Sequence, residues 1–361
     1  MGSAGEAVTP LRRRQEQEPA VAEVDEVAPG ILRMQLPVNF TGLGHVNMYG
    51  LVDRRGLAVI DPGMPEGTSW DAIADRLASA GFRVEDVHTV VVTHSHPDHF
   101  GGAGRLAELA SARVVTHASF RVPWLADTGP DVAELDAASG STGGANGDFD
   151  EEWLKRQAPW SARTVELTSE HRAASAALLS QGLFPPPVPT HRLADGDVIE
   201  LGERSWFALH TPGHTADHLC LHDPIAGVLL TGDHVLPSIT PHIGGLGAGP
   251  DPLADYVSAL DRVGFLPDLR LALPAHGHPF SDVAGRVAAI KDHHRERLDE
   301  LRRVGTAIGA ATVEDFARRL FKPEHWGLMA ESETYAHLEH LRLASEATVV
   351  ADERGARYRI G

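Results

Sequence analysis

The chain has one cysteine, Cys220, and this scarcity excludes an internal disulfide. The sequence therefore gives no sign of the disulfide-stabilised domains that are common among secreted proteins. Continuous apolar runs are also short, since none approaches the roughly 18 residues that a membrane-spanning helix needs. The N-terminus lacks the apolar stretch of a signal peptide. We therefore expect a cytoplasmic protein without a membrane segment.

Positive charge is scarce as well, because 32 Lys and Arg stand against 50 Asp and Glu, a formal net charge of −18 at pH 7. Nucleic-acid-binding proteins more often carry a basic face, so this balance disfavours nucleic acid as a partner. Aromatic residues make up only 6% of the chain, and they form no stripe with basic residues of the kind that binds single strands. With 361 residues, 42% of them apolar, the chain can nevertheless bury a full core.

Apolar patterning divides the chain into three parts. Residues 1–22 are polar and lack periodicity, which predicts a disordered leader. Residues 23–282 alternate strand and helix patterns, as in an α/β layered domain. Residues from about 120 to 190 break this alternation and predict a helical insertion that either caps the site or packs on the outside. Residues 283–361 give three helices and a hairpin, a winged-helix-like module whose interleaved charges favour packing or homodimer contacts over DNA binding.

Histidine, by contrast, is abundant, with 21 residues. It is the commonest metal ligand and a frequent proton carrier, although we expect most of these residues to have structural roles. The valine-rich stretch from Val87 to Thr93 predicts a buried strand, and three histidines and an aspartate follow it: His94, His96, Asp98 and His99. α/β folds place functional groups on loops that follow strands. This one segment could therefore supply ligands to two neighbouring metal ions.

Three later segments repeat the order of a strand, turn residues and a side chain able to bind metal. His214 follows Thr-Pro-Gly, Asp233 follows Thr-Gly, and His276 follows Pro-Ala. A zinc ion takes about four ligands, so two ions need more donors than the first motif provides. The spacing thus predicts a two-metal site, and a cluster of hydrogen-bonded core histidines is the alternative.

The order His-x-His-x-Asp-His, followed by His, Asp and His at strand ends, resembles the metallo-β-lactamase superfamily over about residues 30–282. The resemblance implies a four-layer αββα sandwich with a two-metal site between its sheets. It also implies seven metal ligands and one buried supporting acid, Asp61. The seven are, for the first ion, His94, His96 and His214, for the second ion, Asp98, His99 and His276, and, bridging both, Asp233.

The identity of residue 96 bears on the metal. Superfamily members that use two irons for redox chemistry carry an acid there, so His96 favours zinc and hydrolysis, although imidazole also suits iron and manganese. Two zinc ions would share a hydroxide that attacks an electrophilic carbonyl or phosphorus atom. The catalytic carboxylates would be Asp233, between the ions, and Asp98. Either Asp98 or a bound water could protonate the leaving group.

The resemblance leaves the substrate open. The ligand set and the tail resemble the hydroxyacylglutathione-hydrolase (glyoxalase II-like) branch and the LACTB2-like branch, which acts on RNA. We expect a small-molecule thioester of the acyl-CoA or glutathione type. A phosphodiester or RNA, and a lactone or β-lactam, are the alternatives among hydrolases. Outside hydrolysis, the alternatives are an iron-dependent oxidoreductase and a metal-binding regulator without turnover.

Overall fold

Two β-sheets form the centre of the structure, a computed structural model that describes residues 14–38, 42–122, 158–161, 186–245, 249–352 and 355–361. The seven strands of the first sheet pair in chain order. They are β1 (Val24–Ala28), β2 (Ile31–Pro37), β3 (His45–Asp53), β4 (Gly56–Ile60), β5 (Val87–Val91), β6 (Arg113–His117) and β7 (His191–Leu193). The second sheet has five strands in the order β12-β11-β10-β9-β8. They are β8 (Val198–Leu201), β9 (Arg204–His210), β10 (Leu219–Asp223), β11 (Val228–Gly232) and β12 (Leu271–Pro274).

The alternation of side chains along the strands explains how the sheets stack. In β4, Leu57 and Val59 pack into the core beneath the outer helices, whereas Ala58 and Ile60 pack into the core between the two sheets. Successive strand residues face opposite sides of a sheet, so a continuous apolar strand can be buried on both faces. Strands such as β4, β10 and β11 are buried on both faces, because one face of each sheet packs on helices and the other on the opposite sheet.

Helices complete the outer layers. The first sheet is covered by α1 (Gly67–Ser79) and α3 (Ala103–Ala110), and the second by α4 (Pro252–Gly264) and α5 (Val283–Ile308). A short helix, α2 (Pro97–Phe100), follows β5. Cys220 is fully buried in the core beneath α4 and α5 and acts there as a small apolar residue. The layer order helix, sheet, sheet, helix confirms the predicted αββα sandwich.

Helix α5 belongs to two cores at once. Its first half contributes Val283, Val287 and Ile290 to the core of the second sheet, and its second half contributes Leu301 and Val304 to a C-terminal core. The predicted boundary at residue 283 therefore coincides with the start of a helix that joins the two parts.

The C-terminal core is completed by short elements in the predicted order. They are β13 (Ala311–Thr312), α6 (Val313–Leu320), α7 (Leu328–Leu343), β14 (Ala347–Asp352) and β15 (Gly355–Ile360). Thr312 caps helix α6, because its hydroxyl accepts from the Asp315 amide while the Asp315 carboxylate accepts from the Thr312 amide. The designation as a winged helix stays a prediction.

The predicted leader is too long, because residues 14–22 are among those that pack onto the domain. Glu16 is fully buried, and its carboxylate accepts hydrogen bonds from the Ser238 and Ile239 amides at 2.8 and 3.1 Å and from the Ser238 hydroxyl. The backbone oxygen of Glu18 accepts from His45 Nδ1 at 2.8 Å. Buried carboxylates persist where donors surround them, and this segment supplies such a carboxylate to a loop after β11.

Most of the predicted insertion lies outside the described residues. One described stretch within it, residues 158–161, lies against the C-terminal core, where Trp160 is 3% exposed and donates from Nε1 to Glu331 at 3.0 Å. Among the helices that the structure describes, none has the length and apolarity required to cross a membrane.

Candidate metal centre

Strand direction brings the predicted site residues to one place. Strands β4 and β5 are parallel neighbours, so Asp61 and the segment from His94 leave the same edge of the first sheet. Strands β9 and β11 are both antiparallel to β10, and β12 is parallel to β11. The loops that follow β9, β11 and β12 therefore emerge from one edge of the second sheet, and they carry His214, Asp233 and His276.

The first group of converging side chains contains His94, His96, His214 and Asp233. His96 Nδ1 lies 2.9 Å from His94 Nε2 and 3.0 Å from His214 Nε2. Burial and the surrounding histidines lower the pKa of His94 and of His96 well below the usual 6.5. Both rings are therefore neutral at pH 7, the form that binds a metal ion.

The second group contains Asp98, His99 and His276, all buried. Helix α2 carries the first two, with Pro97 at its first position, where the missing amide proton costs no hydrogen bond. The carboxylate Oδ2 of Asp98 lies 3.7 Å from His99 Nε2 and 3.5 Å from His276 Nε2. Burial opposes a charge on His99, but Asp98, Asp233 and Asp61 outweigh it and raise the pKa of His99 well above 6.5.

Asp233 contacts both groups. Its Oδ2 lies 3.6 Å from His214 Nε2 and 3.6 Å from His99 Nε2, and its Oδ1 lies 3.4 Å from His276 Nε2. Burial would raise the pKa of this carboxyl, but the histidines around it, His276 foremost, hold it well below the usual 3.8. Asp233 is thus an anion placed between two sets of nitrogen donors.

Asp61 links the two groups on the side of the histidine rings that faces away from the centre. Its carboxylate accepts from the Thr93 amide and the Thr93 hydroxyl, both at 2.8 Å, and from His99 Nδ1 at 2.9 Å. The Thr93 hydroxyl has one proton, which it donates to Asp61, so it accepts from His94 Nδ1 at 3.1 Å. Asp61 thereby directs the Nδ1–H groups of both rings away from the centre and leaves Nε2 of His94 and His99 facing it. Its backbone is left-handed, with φ of 55°, which short polar side chains tolerate better than others.

The residues of both groups fit a metal ion. Three buried atoms that face the centre have no hydrogen-bond partner among the described residues: His99 Nε2, His276 Nε2 and Asp233 Oδ1. Buried polar atoms without partners are rare and call for an explanation such as a bound ion. A tetrahedral zinc ion with bonds of about 2.0–2.1 Å to nitrogen separates its donor atoms by about 3.3 Å. The observed separations of 2.9–3.0 Å between nitrogens and 3.4–3.6 Å to Asp233 are close to that value.

Several supporting residues could not be assigned from the sequence. The backbone amide of Asp233 donates to His218 Nε2 at 3.0 Å, and the His218 Nδ1 proton goes to the Thr211 hydroxyl at 2.7 Å. The backbone oxygens of His242 and His45 accept from His214 Nδ1 at 2.7 Å and from His276 Nδ1 at 2.6 Å. The position of His218, four residues after His214, is a sequence signal for its supporting role. Residue types, in contrast, do not predict which backbone oxygen accepts a hydrogen bond from a histidine.

Comparison with known proteins identifies the class. Residues 41–276, more than half of the chain, match the family profile described as "Metallo-beta-lactamase superfamily". The chain therefore belongs to the metallo-β-lactamase superfamily and is a metal-dependent hydrolase, as the motifs predicted.

Individual relatives cover the chain to different extents. The "Probable metallo-hydrolase YqjP" of Bacillus subtilis (strain 168) is 27% identical over 88% of this chain and 93% of its own length. The "Acyl-coenzyme A thioesterase MBLAC2" of Homo sapiens is 29% identical over 53% of this chain and 56% of its own length. The crystal structure of a "Beta-lactamase domain protein from Burkholderia ambifaria" superposes with a TM-score of 0.70 at 29% identity, over 95% of this chain and 96% of that one.

Proposed function

We propose that this protein is a dinuclear zinc hydrolase that cleaves a small-molecule thioester of the acyl-CoA or glutathione type. The position of Asp233 carries the proposal, because its two oxygens face nitrogens of both histidine groups. A carboxylate with this environment suits a bridge between two ions. His94, His96 and His214 would hold the first ion, and Asp98, His99 and His276 would hold the second.

Bound zinc would lower the pKa of water, so supplying a nucleophile at neutral pH, and would stabilise negative charge on the substrate oxygen. The chain's own residues prepare this chemistry. Asp61, with Thr93, directs the His94 and His99 donors inward. Asp98 belongs to the second group, and we assign its carboxyl to deliver the proton to the departing thiolate.

Two observations support a thioester over a nucleic acid. A relative that aligns with about half of this chain is named an acyl-coenzyme A thioesterase. In the C-terminal part, four arginines that could contact phosphates are instead paired with nearby acids. These pairs are Arg302 with Asp299 and Glu346, Arg303 with Glu300, Arg318 with Glu314 and Arg342 with Glu339.

A direct test compares the zinc-loaded protein on an acyl-CoA thioester and on an activated phosphodiester such as bis(4-nitrophenyl) phosphate. The thioester should give kcat/KM of about 10⁴ M⁻¹s⁻¹ or above, an ordinary value for an enzyme. His96→Ala should lower it more than about 100-fold, since losing a ligand exceeds the usual effect of losing a ligand's support. His325→Ala, the same change at an exposed residue, is the matched control.

Metal analysis separates the two parts of the proposal. Wild-type protein should retain two zinc ions after dialysis, and His96→Ala should retain fewer. Turnover of the phosphodiester with inert thioesters would overturn the substrate, and failure of the wild type to bind zinc would overturn the metal centre.

A further inference from the structure

A loop segment, residues 242–245, lies between the metal centre and helix α7 of the C-terminal part. On one side, the His242 carbonyl accepts from His214 Nδ1 at 2.7 Å. On the other side, His242 Nδ1 lies 3.5 Å from Glu333 Oε2, and the Gly245 amide donates to the Ser332 hydroxyl at 3.2 Å. The loop thus connects His214, a proposed zinc ligand, with α7, which begins more than a hundred residues after His214 in the chain.

The two glycines of the loop allow this close approach. A Cβ atom at Gly245 would lie 2.2 Å from Tyr335 Cδ1, and one at Gly244 would lie 2.9 Å from His242 Nε2 and 3.0 Å from the Ser332 hydroxyl. Side chains cannot occupy such distances without displacing their neighbours. The loop backbone at Gly245 therefore lies directly against α7, three residues from the His242 carbonyl.

Glu333 is the charged side chain that contacts the His242 ring. Its side chain is 17% exposed, and Arg297 Nε lies 3.9 Å from its Oε1. Burial opposes the charge of this carboxyl, but His242, His337 and Arg297 together lower the pKa of Glu333 to about 2. This partly buried carboxylate therefore attracts the Nδ1–H side of the His242 ring across 3.5 Å.

We propose that Glu333 is a positioning residue for the metal centre and acts through His242 on His214. The series Glu333, His242 ring, His242 carbonyl and His214 Nδ1 keeps the His214 proton on its outer nitrogen. His214 Nε2 is then free and directed toward His96 and Asp233. This inference rests on the proposed function, because it assigns a role toward the first zinc ion. It makes the C-terminal part a component of the site.

The test measures zinc affinity by competition with a chromophoric chelator, together with the visible spectrum of the cobalt-substituted protein. Glu333→Ala should weaken the binding of one of the two zinc ions by about 10–100-fold, as is usual when a metal ligand loses its supporting partner. It should also change the cobalt spectrum. Glu333→Gln keeps an acceptor oxygen for His242 and should recover most of that affinity. Glu339→Ala, a control on the same helix, removes contacts to Arg342 and Tyr358 and should leave both readouts unchanged.

A second variant guards against a folding defect in Glu333→Ala. His242→Ala keeps the carbonyl but removes the ring, and it should weaken the same zinc ion by a similar factor. If the two residues act in series, the double variant should be no worse than either single variant. Unchanged affinity in both single variants, with two ions in the wild type, would overturn this inference and leave the proposed function standing. A wild type without zinc or cobalt binding would instead overturn the proposed function.

Discussion

Asp61 illustrates how one residue can satisfy a chemical and a backbone demand together. It accepts three hydrogen bonds behind the metal centre and adopts a left-handed conformation, which costs roughly 1–2 kcal/mol for a typical side chain. Asparagine tolerates that conformation but brings an amide donor toward Thr93 and His99, which are themselves donors. Asp61→Asn therefore removes the carboxylate acceptor while keeping a residue that tolerates the left-handed backbone.

Asp61→Asn should keep the fold and weaken zinc binding by about 10–100-fold. Chelator competition measures the affinity, and circular dichroism monitors the fold. Asp268→Asn is a matched control, since Asp268 is exposed and has a similar φ of 53°. Equal zinc affinity in the two variants would show that Asp61 does not support the ligands.

The sequence predicted the clustered site residues because their signal is local. His94, His96, Asp98 and His99 follow one valine-rich strand, and the later residues follow strands of the same kind. Glu333 gave no such signal. It looks like an ordinary helix acid, and its partner His242 lies about ninety positions earlier, a pairing that only the tertiary structure creates.

At the scale of elements, sequence patterns fail to indicate segments that bury polar residues. Helix α7 spans Leu328–Leu343, and apolar periodicity does not mark where it begins. Its first turns bury Ser332 and Thr334, which lack the apolar periodicity of a core helix. Ser332 bonds the 242–245 loop, so a polar residue occupies a buried position in the first turns of α7. The apolar periodicity that would indicate the start of the helix is therefore missing.

The contact of the N-terminal segment, residues 14–18, with the domain can be tested by mutation. Glu16→Ala should lower the free energy of unfolding by about 1–3 kcal/mol, because the Ser238 and Ile239 donors lose a buried acceptor. Urea denaturation measures this change. Glu23→Ala, at an exposed position nearby, should have little effect, and similar losses in both variants would contradict the assigned role of Glu16.

For the whole molecule, buried histidines couple stability to pH. His294 Nδ1 lies 3.0 Å from His337 Nε2 in the interface between α5 and α7. Burial lowers the pKa of His294 to about 3 and that of His337 to about 4. Both are neutral in the folded chain at pH 5, whereas the unfolded chain protonates them below about 6.5. The unfolded state then binds more protons, so stability falls as the pH falls from about 6.5 toward 4.

Acidification of the metal-free protein from pH 7 to pH 5 should therefore cost about 2 kcal/mol for each of these two histidines. Denaturant unfolding in the presence of a chelator measures the loss. Other buried histidines add to it, so the comparison is with a His294→Leu/His337→Leu variant, which should show a clearly smaller loss. Identical pH dependence in the two proteins would refute the role of this pair.

The pairing of β6 with β7 has a consequence for how this protein can diversify. The two strands are parallel neighbours, and such a pair needs a connection of only about a dozen residues. This chain uses residues 118–190 for it, and the strand order is unaffected by that length. Every proposed ligand of the metal centre lies outside the connection. The connection can therefore differ in length or sequence without altering any residue of the two ligand groups.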